Sequence, residues 1–186
     1  MGEPAKRRAT YEDLLDVPRH MVAEIVRGVL HAQPRPALRH ARASSRLGAA
    51  LGGPFDEGRG GPGGWVLLDE PEQHFQSDVL VPDLGGWRRE RMALIPDATA
   101  VELAPDWVCE VLSPSTAALD RAEKMPIYAR EGVRHLWLVD PGPQTLEVFR
   151  LEGARWTLVA TWRDDARVRA EPFEAFELEL GALWAR

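Results

Sequence analysis

Residues 106–112 (DWVCEVL) form a continuous, mostly apolar run with one carboxylate inside it. A run of this kind is expected of a strand covered on both faces, in the interior of a sheet. Such a strand forces a layered fold, with helices or a second sheet on each side. Glu110 is then the anomaly. An ionised carboxylate buried in that strand costs several kcal/mol unless it is paired, protonated or bound to a metal. It either pairs with a buried Arg or Lys and does nothing more, or belongs to a site.

The rest of the chain supplies the layers. Thr10 reads as the N-cap of a short helix over 10–15, with Asp13 completing a capping box. Residues 21–33 read as a hairpin turning at Arg27-Gly28. Residues 37–51 carry Ala41, Leu47, Ala50 and Leu51 at helical spacing and stop at Gly52-Gly53. The glycine-rich stretch 52–64 leads into a strand, not a helix, and lacks Gly-Lys-Ser/Thr, so it is expected to be a connector and not a phosphate cradle. Strands are expected at 65–68 and 77–81, followed by an irregular stretch over 84–105. A helix over 120–131, with Asp120 and Glu123 as a capping box and Gly132 as its stop, precedes strands at 134–140, 145–151 and 156–162. One mixed sheet with helices on its faces is the simplest arrangement. Residues 1–9 are expected to be frayed, and 10–186 to form one α/β domain.

Three further residues stand out beside Glu110. Asp83 follows Val79-Leu80-Val81 and Pro82, and proline there ends or bulges a strand. Pro-Asp is also ordinary turn chemistry. Two carboxylates at about 4 Å repel by roughly 4 kcal/mol at an effective dielectric near 20, a cost that a divalent cation between them removes. Hard oxygen donors suit Mg²⁺ or Mn²⁺. Lys124 lies four residues after Asp120, the spacing of a helical ion pair. Yet only Lys6 and Lys124 are lysines among 23 basic residues, and an ammonium differs chemically from a guanidinium. Glu24 sits between Ala23 and Ile25, and the sequence leaves it open between a structural and a metal-supporting carboxylate.

Composition excludes several classes. No apolar run approaches 18 residues, and the polar N-terminus has no secretory core segment, so neither a membrane span nor a signal is expected. A single cysteine, Cys109, excludes an internal disulfide framework and fits a reducing cytoplasm. The formal net charge of −6 argues against strong non-specific attraction to DNA. Against that, Arg35, Arg39, Arg42 and Arg46 would form a basic stripe along the first long helix, either a phosphate-contacting surface or a solvated face.

Together these residues resemble one family. Glu24-Ile-Val-Arg-Gly-Val, Pro34, Pro36, His40, Pro82-Asp83, Glu110-Val-Leu-Ser-Pro-Ser-Thr, Asp120, Lys124, Tyr128, Gly132-Val133 and Leu136-Trp137-Leu138-Val139-Asp140 are similar to the Uma family of bacterial restriction endonucleases. That family looks like a branch of the PD-(D/E)XK nuclease superfamily. The likeness spans roughly residues 10–180. It implies a restriction-endonuclease-like core, a mixed β-sheet flanked by helices. It also implies Asp83 and Glu110 as metal ligands with the Val111 carbonyl as a third, Glu24 as the early supporting acid, and Lys124 as the ammonium that places water and offsets phosphate charge. His40, Asp120 and Tyr128 would stand behind them. The superfamily lysine belongs two residues after the second acid, where this chain has Leu112; Lys124 replaces it only if the following helix folds back over the strand end. Pro126 inside that helix threatens a kink.

The reaction so implied is Mg²⁺- or Mn²⁺-dependent hydrolysis of nucleic acid, DNA before RNA, with a homodimer or higher homo-oligomer left open. Trp65, Trp87 and Trp184 could anchor such an interface or lie in the core. Two other readings compete: a catalytically inert member of the fold acting as an oligomeric binding or regulatory module, and a hydrolase of another phosphate ester.

Overall fold

The computed structural model describes residues 7–184; the expected frayed start lies largely outside them, and Ala9 N–H donates to Gly28 O at 2.8 Å. Helix α1 (Tyr11–Leu15) opens on Thr10, whose hydroxyl accepts from Asp13 N–H while the Asp13 side chain accepts from Thr10 N–H. Strands β1 (Met21–Val26) and β2 (Val29–Pro34) form the expected hairpin. Its turn is possible because Arg27 and Gly28 both take positive φ, 51° and 78°. Helix α2 (Leu38–Leu51) follows and buries Ala43, Leu47 and Leu51; Ala41 is on the exposed side. The glycine-rich stretch begins with a π-helical turn (Gly52–Asp56) that buries Phe55 against Phe173, with ring centres 4.7 Å apart.

The strands are shared among three sheets instead of one. β7 (Trp107–Val111) and β8 (His135–Asp140) are the parallel pair at the middle of a six-stranded sheet. β9 (Thr145–Glu152) and β10 (Arg155–Arg163) extend it on one side. β6 (Leu84–Arg88) and β3 (Trp65–Asp69) extend it on the other, giving the order β10-β9-β8-β7-β6-β3. A second, antiparallel sheet has the order β2-β1-β5-β4, with β4 at Gln73–Phe75 and β5 at Asp78–Leu80. β11 (Arg167–Val168) and β12 (Leu178–Glu179) make a small ribbon.

Strand β6 corrects the expectation of an irregular stretch from 84 onward. Gly85 and Gly86 mask it in the sequence, since glycine is depleted in strands. Here they permit close packing. A Cβ on Gly86 would come within 3.0 Å of both Leu67 Cδ2 and Trp107 Cε3.

Side chains on β7 alternate between two cores. Trp107, Cys109 and Val111 face α2 and the C-terminal segment, where Trp65, Trp107 and Trp137 gather around Phe173. Val108 and Leu112 face the other way, towards Tyr128, Ile127 and residues of the second sheet such as Val26, Phe75 and Leu80. Trp65, Trp87 and Trp184 are all buried within the chain, so none is a free interface anchor.

The helix after β7 starts earlier than expected. It is α-helical over α3 (Ala117–Leu119), widens to a π-helical turn at Asp120–Lys124, and returns to α-helix in α4 (Met125–Arg130). Asp120 therefore sits inside the helix and does not cap it with Glu123. The opening turn is instead closed by Ser113 and Thr116, whose hydroxyls lie 3.0 Å apart. The wide turn directly ahead of Pro126 accommodates a ring that would otherwise meet the preceding turn's carbonyl, so the helix continues through the proline.

Candidate active site

Glu110 takes the same face of β7 as Val108 and Leu112, under the helix that follows. Asp83 stands where the chain crosses from one sheet to the other. β5 ends at Leu80, and β6 begins at Leu84, pairing Leu84 with Cys109. That register sets Asp83 beside the C-terminal end of β7, where Asp83 Oδ2 accepts Val111 N–H at 2.7 Å. Glu24 comes from β1 of the second sheet, and its Oε1 accepts Val81 N–H at 2.7 Å. The helix does fold back over the strand end, as the displaced lysine requires, and the π turn delivers Lys124 into the same space.

The ammonium of Lys124 is the hub. Its Nζ lies 2.8 Å from Glu24 Oε1, 2.8 Å from Glu110 Oε1 and 3.5 Å from Asp120 Oδ1. Tyr128 OH donates to Glu110 Oε1 at 2.5 Å. Lys124 is 2 % exposed and Glu110 3 %, so these charges interact with little screening by water. On the other side of the acidic pair, His40 Nε2 lies 3.2 Å from Asp83 Oδ1.

The titration properties follow from three carboxylates sharing one buried cation. Burial pushes the Glu110 carboxyl well above the usual range; Lys124 opposes this, while Asp120, Asp83 and Glu24 add to it. Burial also raises Asp120, against the pull of Lys124. For Lys124 burial disfavours the charge, but Glu110 and Glu24 outweigh it and hold the group as an ammonium. Burial pushes the Tyr128 hydroxyl well up, and the Glu110 carboxylate pushes it further, so it remains a donor. His40 is raised overall: burial disfavours its charge, and Asp83 and the Val111 main chain more than offset that. Cys109, buried on the opposite face, is pushed well up by burial and is an inert core thiol.

These groups line one pocket of about 440 Å³. Glu24, His40, Asp83, Glu110, Val111, Asp120 and Lys124 all contribute to it, and Tyr128 stands behind Glu110. Arg35 is on its rim, whereas Arg39, Arg42 and Arg46 are exposed along α2 outside it. The rim also contains Ser113, Ser115 and Thr116, to which sequence reasoning gave no role. A cluster of hydroxyls directly after a buried acidic strand was the available signal.

Asp83, Glu110 and the Val111 carbonyl offer hard oxygen donors. Among the described residues no group of three or more His, Cys, Asp or Glu side chains is arranged to hold a metal. The set therefore does not fit an all-protein cage. It does fit an ion of the Mg²⁺ type, which keeps several waters and takes only one or two carboxylates. His40 Nδ1, buried in the pocket wall without a hydrogen-bond partner, is consistent with space for a further polar occupant.

Comparison with solved structures gives the class. The chain superposes with a TM-score of 0.76 on a crystal structure described as "a putative nuclease belonging to DUF820" from Anabaena variabilis ATCC 29413. The two are 22 % identical, and the match covers 95 % of this chain and 97 % of that one. The fold is thus restriction-endonuclease-like, a mixed sheet with few helices. Residues 8–181 match the Uma2 family, described as "Putative restriction endonuclease", and the chain belongs to that family. No curated protein matches it. Among the described residues no helix is long and apolar enough to cross a membrane.

Proposed function

We propose that this chain is a divalent-metal-dependent nuclease that hydrolyses phosphodiester bonds, with DNA as the first substrate to test. One observation carries the reading. Four residues from separate parts of the chain, Glu24, Asp83, Glu110 and Lys124, line a single pocket, and one buried ammonium bridges two of the acids at 2.8 Å. Burying that much charge costs more than a hydrophobic core would, and pure stability gives little reason to keep it.

Asp83, Glu110 and the Val111 carbonyl would hold Mg²⁺ or Mn²⁺. When bound, the ion lowers the pKa of water and neutralises charge growing on the phosphate. The protein's own groups do the rest. Lys124, held as an ammonium, does not take a proton; it donates to the attacking water or a phosphate oxygen and offsets negative charge. Glu24 and Asp120 aim that ammonium. Tyr128 fixes the Glu110 carboxylate through the 2.5 Å hydrogen bond, and His40 does the same for Asp83 at 3.2 Å. Arg35 and the arginines of α2 would contact flanking phosphates, which adds affinity and little sequence information.

The test is calorimetric titration of Mg²⁺ and Mn²⁺ into the wild type and Glu110→Gln. Binding by the wild type that is lost in Glu110→Gln supports the site. Equal binding by both proteins removes Glu110 from it.

A further inference from the structure

The candidate groups lie at the bottom of a pocket and not on an open cleft. Lys124 and Glu110 are only 2–3 % exposed, and a substrate phosphorus must reach them between two walls. One wall is the Pro34-Arg35-Pro36 segment, between the end of β2 and the start of α2; the other is the Ser113–Thr116 turn after β7. Two prolines fix the backbone φ of the first wall. The second is tied by the Ser113, Ser115 and Thr116 hydroxyls at 3.0 Å. A pocket of about 440 Å³ is the size of sites that enclose one small molecule, not a double helix.

In a closed duplex each phosphate is carried on the outside of a broad cylinder, with its sugar held by the stack. Bringing such a phosphate beneath a rim means pulling the nucleotide out, at a cost of a few kcal/mol. A single strand avoids that cost. Resting on the nuclease reading above, we infer that the pocket takes one nucleotide of a single strand, or of a locally opened duplex, and rejects closed duplex.

The charge pattern supplies the track for the rest of the strand. Among the described residues Arg35, Arg39, Arg42 and Arg46 make no ion pair, whereas Arg27, Arg89, Arg121, Arg130 and Arg150 elsewhere are all paired with acids. In a chain of net charge −6, this unneutralised row runs from the pocket rim along one side of α2. The pocket lining has no Phe, Tyr or Trp on which a base could stack, so binding should depend little on base identity.

The experiment measures equilibrium binding of three labelled DNA probes to the intact wild-type chain, with Ca²⁺ supplying the divalent charge. The probes are a single strand, a duplex closed by hairpins at both ends, and the same closed duplex with a central mismatched bubble. The single strand and the bubble should bind at least about tenfold more tightly than the closed duplex. Closed duplex binding as tightly as the single strand overturns this inference and leaves the nuclease reading standing. Failure of all three probes to bind overturns the nucleic-acid reading itself, and the inference with it.

Discussion

Lys124 Nζ and Glu110 Oε1 are 2.8 Å apart, and both residues are almost wholly buried. The ammonium compensates Glu24 and Asp120 as well. Lys124→Met would therefore leave three acids without their cation. Breaking a buried pair by removing one partner typically costs about 3–5 kcal/mol. Urea denaturation at neutral pH should show a loss of that order. The loss should shrink under mildly acidic conditions, because the raised carboxyls of Glu110 and Asp120 then become neutral. A loss that is small, or that does not change with pH, would mean the acids are not held by this ammonium.

Glu110 itself should make the fold less stable as pH rises. Its folded pKa is well above the ordinary 4.5, so the folded state holds a proton that the unfolded chain releases. That contribution is complete below pH 4.5 and is lost as pH climbs through the folded value. Glu110→Gln cannot ionise. Its melting temperature relative to wild type should increase between pH 5 and pH 8, the window about the upward shift. A constant difference across that window would show that Glu110 is not the strained acid.

The arginine row is expected to act on binding alone. Arg35, Arg39, Arg42 and Arg46 are exposed and without ion pairs among the described residues, and surface changes of this kind usually stay within about 0.5 kcal/mol of stability. Replacing all four by Ala should leave the melting temperature in place. Each lost phosphate contact should lower the slope of log affinity against log salt by about 0.7 for a single strand. An unchanged slope would return the row to an ordinary solvated helix face.

Much of the fold was legible because its signals are local. The Thr10–Asp13 cap, the Arg27-Gly28 turn and the apolar run around Glu110 each follow from neighbouring residues, and each is present. Strand β6 was hidden because Gly85 and Gly86 are chosen for close contact with Leu67 and Trp107, a tertiary reason invisible in local propensity. The division into separate sheets was hidden too. Val81-Pro82-Asp83 reads as a strand end, but nothing nearby says that the chain changes sheets there. The convergence of Glu24 and Lys124 on Glu110 came from family resemblance, not from spacing, since the three residues lie on a strand of each sheet and a π turn. Asp120 reads as a cap by its neighbours; only the earlier start of the helix turns it towards Lys124.

The account's central claim is that the acids around Lys124 support metal-dependent hydrolysis of a nucleic acid strand. The most direct measurement is cleavage of an end-labelled single-stranded DNA with Mn²⁺, with a chelator, and with Glu110→Gln in place of the wild type. The account predicts cleavage by the wild type with Mn²⁺, and a fall of at least about a hundredfold, or roughly 2.7 kcal/mol of barrier, in the other two conditions. Cleavage that persists in the chelator or in Glu110→Gln, or a folded wild type that leaves the strand intact in Mn²⁺, would contradict it.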